Sequence, residues 1–186
     1  MHASFSSTVA GWHDFYMLAG STSATLVGLI FVAVSLHLDL VGEAGISAIF
    51  TLARRTFSSF ILVVVISLAF LIPNEDPPGL GWPLLILGVV DMLQTILEGH
   101  AVMRELKRVD GWQIFMDQII RPVALPLLTG IGVIWIAAHL LAGTTAYLYG
   151  MVPVVILILI NAALDAWEMM LGLARHKMRR SGEHTS

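Results

Sequence analysis

Long apolar segments alternate with short polar connections along this chain. A membrane-spanning helix needs about 20 consecutive, mostly apolar residues. Segments of this kind occur five times, so we predict spans over residues 15–38, 56–72, 83–103, 122–141 and 147–173. The pattern predicts an all-α fold, a polytopic membrane helix bundle of about five transmembrane helices that forms one transmembrane domain over residues 1–186.

The composition supports a membrane location. Only 12% of the 186 residues are charged and the mean hydropathy is +0.84, whereas soluble domains carry about 25% charged residues. So few charges could not cover a water-facing surface. A net charge of -3 gives no indication of a nucleic-acid partner, and the absence of cysteine excludes disulfides, thiolate metal sites and cysteine nucleophiles. The first apolar segment is too long for a signal peptide and lacks a basic start, so we expect it to be retained.

The basic residues predict the orientation of the bundle. The connections 73–82 and 142–146 contain no Lys or Arg. With five spans, all 10 basic residues fall on the other side, namely Arg54, Arg55, Arg104, Lys107, Arg108, Arg121, Arg175, Lys177, Arg179 and Arg180. Because Lys and Arg accumulate in cytoplasmic connections, we expect the N-terminus outside and the C-terminus in the cytoplasm.

Two further segments have patterns of their own. Apolar residues recur at helical spacing over 111–121 with polar residues opposite, which predicts an interfacial amphipathic helix or an extension of the fourth span. In the first span Gly20, Ala24 and Gly28 repeat every four residues. Small residues at this spacing let membrane helices approach closely, so we expect these three to serve helix packing, within the chain or at a subunit interface.

The third and fifth spans carry the polar residues that could support chemistry. Asp91, Gln94, Thr95 and Glu98 lie on the third span, and Asn161, Asp165 and Glu168 lie on the fifth. In each span an acid or amide, a second polar residue and a glutamate follow at i, i+4 and i+7, so they share one helical face. An ionisable residue at mid-span costs about 2.5–3.5 kcal/mol, so these faces are expected to point into the bundle or an oligomer axis.

These polar residues predict either an ion pathway or a buried polar network. Carboxyl groups inside a membrane can relay protons or bind cations. Buried polar side chains also hold helices together through hydrogen bonds, and for Gln94, Thr95 and Asn161 the packing role is favoured. The four acids are assigned a functional role.

A weak internal repeat relates the second and third spans to the fourth and fifth. At an offset of 70 residues Asp91 matches Asn161, Thr95 matches Asp165 and Glu98 matches Glu168. Duplicated hairpins are common in transporters. Chance similarity between two hydrophobic hairpins remains an equal alternative.

Catalytic and metal motifs are absent from the sequence. There is no Gly-x-Ser-x-Gly, His-Glu-x-x-His or phosphate-binding glycine loop. A metal held by Glu98, Glu168 and His37 or His100 lacks a supporting motif, and His100 and His139 are expected at opposite ends of the membrane, too far apart to share a haem. We therefore expect no enzyme activity, no cofactor and no metal.

Residues 26–36, which read LVGLIFVAVSL, follow the segment Trp12-His13-Asp14-Phe15-Tyr16. Together they resemble the first span of a group of small bacterial multispan membrane proteins of unassigned function. The resemblance extends loosely to residues 71–73 and to Asn161–Glu168. It implies a bacterial cytoplasmic membrane and carries no known activity.

Two functions from different classes remain open. The first is an oligomeric channel or transporter for protons or small cations that uses the acidic faces of the third and fifth spans. The second is a non-conducting accessory or modulator subunit whose buried polar residues serve packing. Both predict contact with the lipid bilayer and either self-association or a membrane partner protein.

Overall fold

The chain forms a bundle of five apolar helices. The computed structural model describes residues 9–36, 46–72, 76–106 and 123–183, and within these residues it contains helices and short turns but no strand. The long helices are α1 (His13–Ser35), α2 (Ile46–Leu71), α3 (Pro77–Leu106), α4 (Leu125–Leu141) and α5 (Met151–Glu183). A short 3-10 helix, Ala146–Gly150, leads into α5. The predicted all-α polytopic bundle is confirmed.

The lengths and composition of the helices fit a multi-pass membrane protein. Within the described residues, α1, α2, α3 and α5 each contain a stretch long and apolar enough to cross a membrane. The fifth apolar helix, α4, has 17 residues. At about 1.5 Å per residue α4 is roughly 26 Å long, slightly less than the hydrocarbon thickness of about 30 Å. The predicted interfacial helix over 111–121 lies outside the described residues.

Two helices begin earlier than their hydropathy predicts. Helix α2 begins at Ile46 and α3 begins at Pro77, both ahead of the predicted spans. The added residues, 46–55 and 77–82, are mostly apolar. The basic pair Arg54 and Arg55 and the prolines within 77–83 interrupt the apolar pattern there without ending the helices. Pro83 was taken as the start of the third span, yet it lies inside α3. Pro83 lacks the N–H that would bond to the carbonyl of Gly79, so one backbone hydrogen bond of α3 is lost, yet the helix continues through it.

Helices α2 to α5 form a four-membered ring. Helix α2 packs against α3 and α5, and α4 packs against the same two helices, so α3 and α5 occupy opposite corners. Buried apolar side chains fill much of the ring, including Leu62, Ile66, Leu84, Val133, Leu140 and Val155. We call the end where α2 carries Arg54 and Arg55 the arginine end of the bundle.

Helix α1 lies outside the ring and packs mainly against α2. Tyr16 stacks on Phe70 with 3.9 Å between ring centroids. Gly20 permits a close approach, because a Cβ atom there would lie 2.8 Å from the Cβ of Ser67. Ala24 is exposed, and open space surrounds the position of a Cβ at Gly28. Of the three predicted packing residues, Gly20 therefore contacts α2, whereas the other two face away from the described part of the chain.

The end of α4 sets up the reversal into α5. Gly143 has a φ of +81°, and its N–H donates to the carbonyl of Leu140 while the Thr144 N–H donates to that of His139. This pair of bonds is a Schellman motif, in which glycine adopts the left-handed conformation at no steric cost. The motif ends α4 and reverses the direction of the chain before α5 begins.

Candidate functional site

The polar side chains of the ring collect on α2, α3 and α5 toward the arginine end. They divide into an exposed strip, a buried ion pair and a small cavity.

The exposed strip joins α2 to α3. Nη2 of Arg54 lies 2.8 Å from Oε1 of Glu98, and the two side chains are 72% and 31% exposed. Ser58 donates a hydrogen bond of 3.1 Å to Oε1 of Gln94. The two contacts show that α2 and α3 run antiparallel. Ser58 follows Arg54 by one turn on α2, whereas Gln94 precedes Glu98 by one turn on α3. A pair this exposed contributes little, about 0–1 kcal/mol.

The buried ion pair joins α2 to α5. Nε of Arg55 lies 3.7 Å from Oδ2 of Asp165, with side chains only 15% and 8% exposed. Within the described part of the chain, Nη2 of Arg55 is buried without a hydrogen-bond partner. Taking two charges out of water carries a large desolvation penalty that their attraction must offset. Removal of one partner would leave the other charge buried and uncompensated, so each of the two side chains depends on the other.

A small cavity lies inside the ring. Its polar lining comes from one residue on each helix, Ser59 on α2, Asp91 on α3, Thr129 on α4 and Asn161 on α5. Its apolar lining consists of Leu62, Leu125, Pro126, Leu157 and Ile158. The volume of the cavity that the centre of a water-sized sphere can occupy is about 20 Å³. This is room for about one water molecule.

Several oxygens at this cavity can accept a further bond. Asn161 is 7% exposed, and its Oδ1 has no hydrogen-bond partner among the described residues. The hydroxyl of Thr129 donates to the carbonyls of Leu125 and Pro126, so its lone pairs remain available. Among the described side chains none forms an ion pair with Asp91. Buried polar groups normally have partners, so the unpaired Asn161 oxygen is an unusual feature of the site.

The cavity lies between two different surroundings along the bundle. Arg55 and Ser59 are one turn apart on α2, and Asp165 and Asn161 are one turn apart on α5, so the buried ion pair lies between the cavity and the arginine end. Toward the other end the apolar ring interior follows directly. Gly130 leaves room beside the carboxyl group of Asp91, because a Cβ atom at this position would lie 3.4 Å from Oδ2 of Asp91.

The structure separates the seven polar residues that the sequence placed on two faces. Asp91 and Asn161 meet at the cavity, Gln94 and Glu98 join the exposed strip, and Asp165 forms the buried pair. The hydroxyl of Thr95 donates to the carbonyl of Asp91 within α3. Glu168 is exposed and does not line the cavity. No single continuous acidic face results.

Sequence reasoning missed five participants: Arg54, Arg55, Ser58, Ser59 and Thr129. The two arginines were used only to orient the chain. Their place at the start of the second span, at the depth where the third and fifth spans end, was a signal that they could pair with Glu98 and Asp165. No comparable signal marks Ser59 or Thr129, because hydroxyls within apolar helices are common.

The histidines and acids do not converge on a transition-metal site in the described part of the chain. No group of three His, Cys, Asp or Glu side chains is placed to hold a metal there. His100 is exposed, and His139 lies at the opposite end, where its ring contacts Trp135 and Tyr147. A hard cation bound by Asn, Ser and Thr oxygens would not depend on such a group.

Comparison with known proteins supplies no further guide, since no protein-family model, curated protein or solved structure matches this chain. The resemblance of the first span to small bacterial membrane proteins stays a prediction.

Proposed function

We propose that this protein is a membrane transporter that moves protons or small cations by way of the Asp91–Asn161 cavity. It works as a homo-oligomer in a bacterial cytoplasmic membrane, with the N-terminus outside and the arginine end facing the cytoplasm. It acts without enzymatic chemistry. Five helices can hardly enclose a wide pathway alone, which is the reason for expecting self-association.

One observation carries the proposal. Asp91 and Asn161 come from opposite corners of the ring, yet they line the same cavity. An ionisable residue within a membrane helix is costly and is by default a candidate functional group. A carboxyl group and an amide oxygen without a hydrogen-bond partner in the lining of one cavity suit a site that binds and releases a positive charge.

The position of the cavity favours a carrier over an open channel. Along the bundle, the buried pair of Arg55 and Asp165 lies on one side of the cavity and the apolar interior of the ring lies on the other. The described residues therefore form no continuous polar path from one end of the bundle to the other. Transport by alternating exposure of a central site fits a cavity between two helical hairpins, as in many secondary transporters.

The direct test is ion flux into liposomes that contain the purified full-length protein. We expect a proton or cation flux with the native chain and its loss in Asp91→Asn, because that change removes the charge at the cavity. Glu98→Gln should retain most of the flux, since Glu98 belongs to the exposed strip. Asp14→Asn is the matched control, as Asp14 is exposed at the start of α1.

Flux that is equal in Asp91→Asn and in the native protein would overturn the role of the cavity. No flux in any variant, across a range of pH and applied potential, would overturn transport itself. Size-exclusion chromatography of each variant shows whether a loss reflects the site or a failure to assemble.

A second candidate function is a non-conducting accessory subunit. The observation that favours it is that Glu98 and Asp165 both have arginine partners, so these two acids can serve helix packing alone. On this reading Asp91→Asn would alter assembly or partner binding and leave the membrane's ion permeability unchanged. Co-purification of a stoichiometric membrane partner, together with absence of flux, would support it.

A further inference from the structure

We propose that the cavity binds one partly dehydrated sodium ion. This inference rests on the proposed function, since it names the substrate of the same site. The ligands are the carboxylate of Asp91, the amide oxygen of Asn161 and the hydroxyls of Ser59 and Thr129. Each of the four ring helices thus contributes one oxygen donor to the same cavity.

The chemistry of the donors selects a hard cation. The polar lining consists of carboxylate, amide and hydroxyl groups, without sulfur or imidazole. Oxygen ligands of this kind suit alkali and alkaline-earth ions. Oδ1 of Asn161 can only accept, and it lacks a donor among the described residues. A cation would satisfy that buried oxygen directly.

The charge around the cavity selects a monovalent ion. Arg54 pairs with Glu98 and Arg55 with Asp165, which leaves Asp91 as the one carboxylate in the lining. A single positive charge neutralises it. A divalent ion would leave an uncompensated charge in an apolar interior, where such a charge is expensive.

The size of the cavity narrows the choice further. It has room for about one water-sized particle, so an ion must shed most of its hydration shell to enter. Calcium takes six to eight oxygen ligands and magnesium usually keeps several waters. A sodium ion can be held by the four protein oxygens and one remaining water.

A proton on Asp91 is the competing occupant. A protonated carboxyl could satisfy one neighbouring acceptor, but it would not need oxygens from all four helices. The presence of Ser59, Thr129 and Asn161 in the same lining as Asp91 is therefore better explained by an ion that is coordinated from several sides.

Equilibrium binding of radioactive sodium to the purified full-length protein in detergent micelles tests the inference. Choline chloride replaces sodium chloride so that the ionic strength stays constant. We expect saturable binding of one sodium ion per chain and displacement by unlabelled sodium. Asp91→Asn should abolish binding, and Asn161→Ala and Thr129→Val should each weaken it by about tenfold or more. Asp14→Asn should bind as the native chain does.

The outcomes separate this inference from the proposed function. Absence of saturable sodium binding in the native protein overturns the sodium site, whereas a proton flux that depends on Asp91 would still uphold transport. Sodium binding that is lost in Asp91→Asn, without any flux, upholds the site and overturns transport. Binding retained in both Asp91→Asn and Asn161→Ala would place the sodium elsewhere and overturn the assignment.

Discussion

Arg54 and Arg55 are neighbours in the sequence, but their surroundings differ. The Arg54 side chain is largely exposed beside Glu98, whereas Arg55 is buried beside Asp165. The energetic value of an ion pair depends on this difference. Water and salt screen the exposed pair, while the buried pair has given up its hydration and depends on its partner.

At the residue scale we expect the two arginines to respond differently to substitution. Arg55→Ala should lower the free energy of unfolding by about 3–5 kcal/mol, because it leaves the buried Asp165 without its cation. Arg54→Ala should lower it by about 0–1 kcal/mol. Unfolding of the purified protein by sodium dodecyl sulfate in mixed micelles, followed by circular dichroism, measures both values.

The double variant Arg55→Met with Asp165→Leu provides the control for that experiment. Replacing both members of a buried pair by apolar residues is often neutral or stabilising, so much of the lost stability should return. Equal losses for Arg54→Ala and Arg55→Ala would contradict the difference in burial between the two pairs.

Glycines control how closely the helices approach. At Gly88 on α3, a Cβ would lie 2.8 Å from Cγ1 of Ile134 and 3.3 Å from the backbone nitrogen of the same residue. The neighbouring backbone of α4 cannot move away without shifting the helix. At Gly28 on α1, by contrast, nothing lies within 4 Å.

At the element scale, Gly88→Ala should therefore lower the free energy of unfolding by about 1–3 kcal/mol through overpacking between α3 and α4. Gly28→Ala should cause no loss, and can add up to about 1 kcal/mol because alanine favours helix. The same detergent titration compares them. A loss at Gly28 accompanied by dissociation of an oligomer would show instead that Gly28 lies at a subunit interface.

In the part of the chain that the structure describes, four helices form a ring and α1 lies on its outer side. Apart from Arg54 and Arg55 on α2, the basic residues lie in the last part of α3, between α3 and α4 in the sequence, or in the last part of α5. The connection from α4 to α5, which includes Gly143, lies at the other end. If the bundle crosses a membrane as proposed, these two ends face different compartments.

At this scale the absence of native cysteine permits a direct topology test. Single cysteines at Ala142 and at Ser181 should react differently with a membrane-impermeant maleimide applied to intact cells. We expect Ala142→Cys to be labelled from outside and Ser181→Cys only after the membrane is permeabilised. The reverse pattern would invert the proposed orientation, and labelling of both from outside would contradict the number of crossings.

Hydropathy predicted the fold well because the length and apolar character of a spanning helix are local properties. The five apolar segments were found, with errors at helix ends such as Ile46 and Pro77, where the helices continue past basic residues or prolines that interrupt the apolar pattern. The partners of the polar residues could not be found in this way. The pairing of Arg55 with Asp165 depends on how α2 and α5 are rotated toward each other, which a helical period alone does not determine.

The internal repeat was more informative about the cavity than helical period was. It matched Asp91 to Asn161, and these two residues line the same space. It did not indicate that Glu98 and Glu168 have different surroundings, because similar positions in two hairpins still face different neighbours. The hydroxyls of Ser59 and Thr129 become relevant only when four helices are assembled.

The adjacency of Arg54 and Arg55 also has a mechanical consequence. Successive side chains on a helix point about 100° apart, and here one reaches α3 while the next reaches α5. Any twist of α2 about its own axis must therefore displace both guanidinium groups in the same sense. The two opposite corners of the ring are thus both in contact with one short segment of α2 at this end.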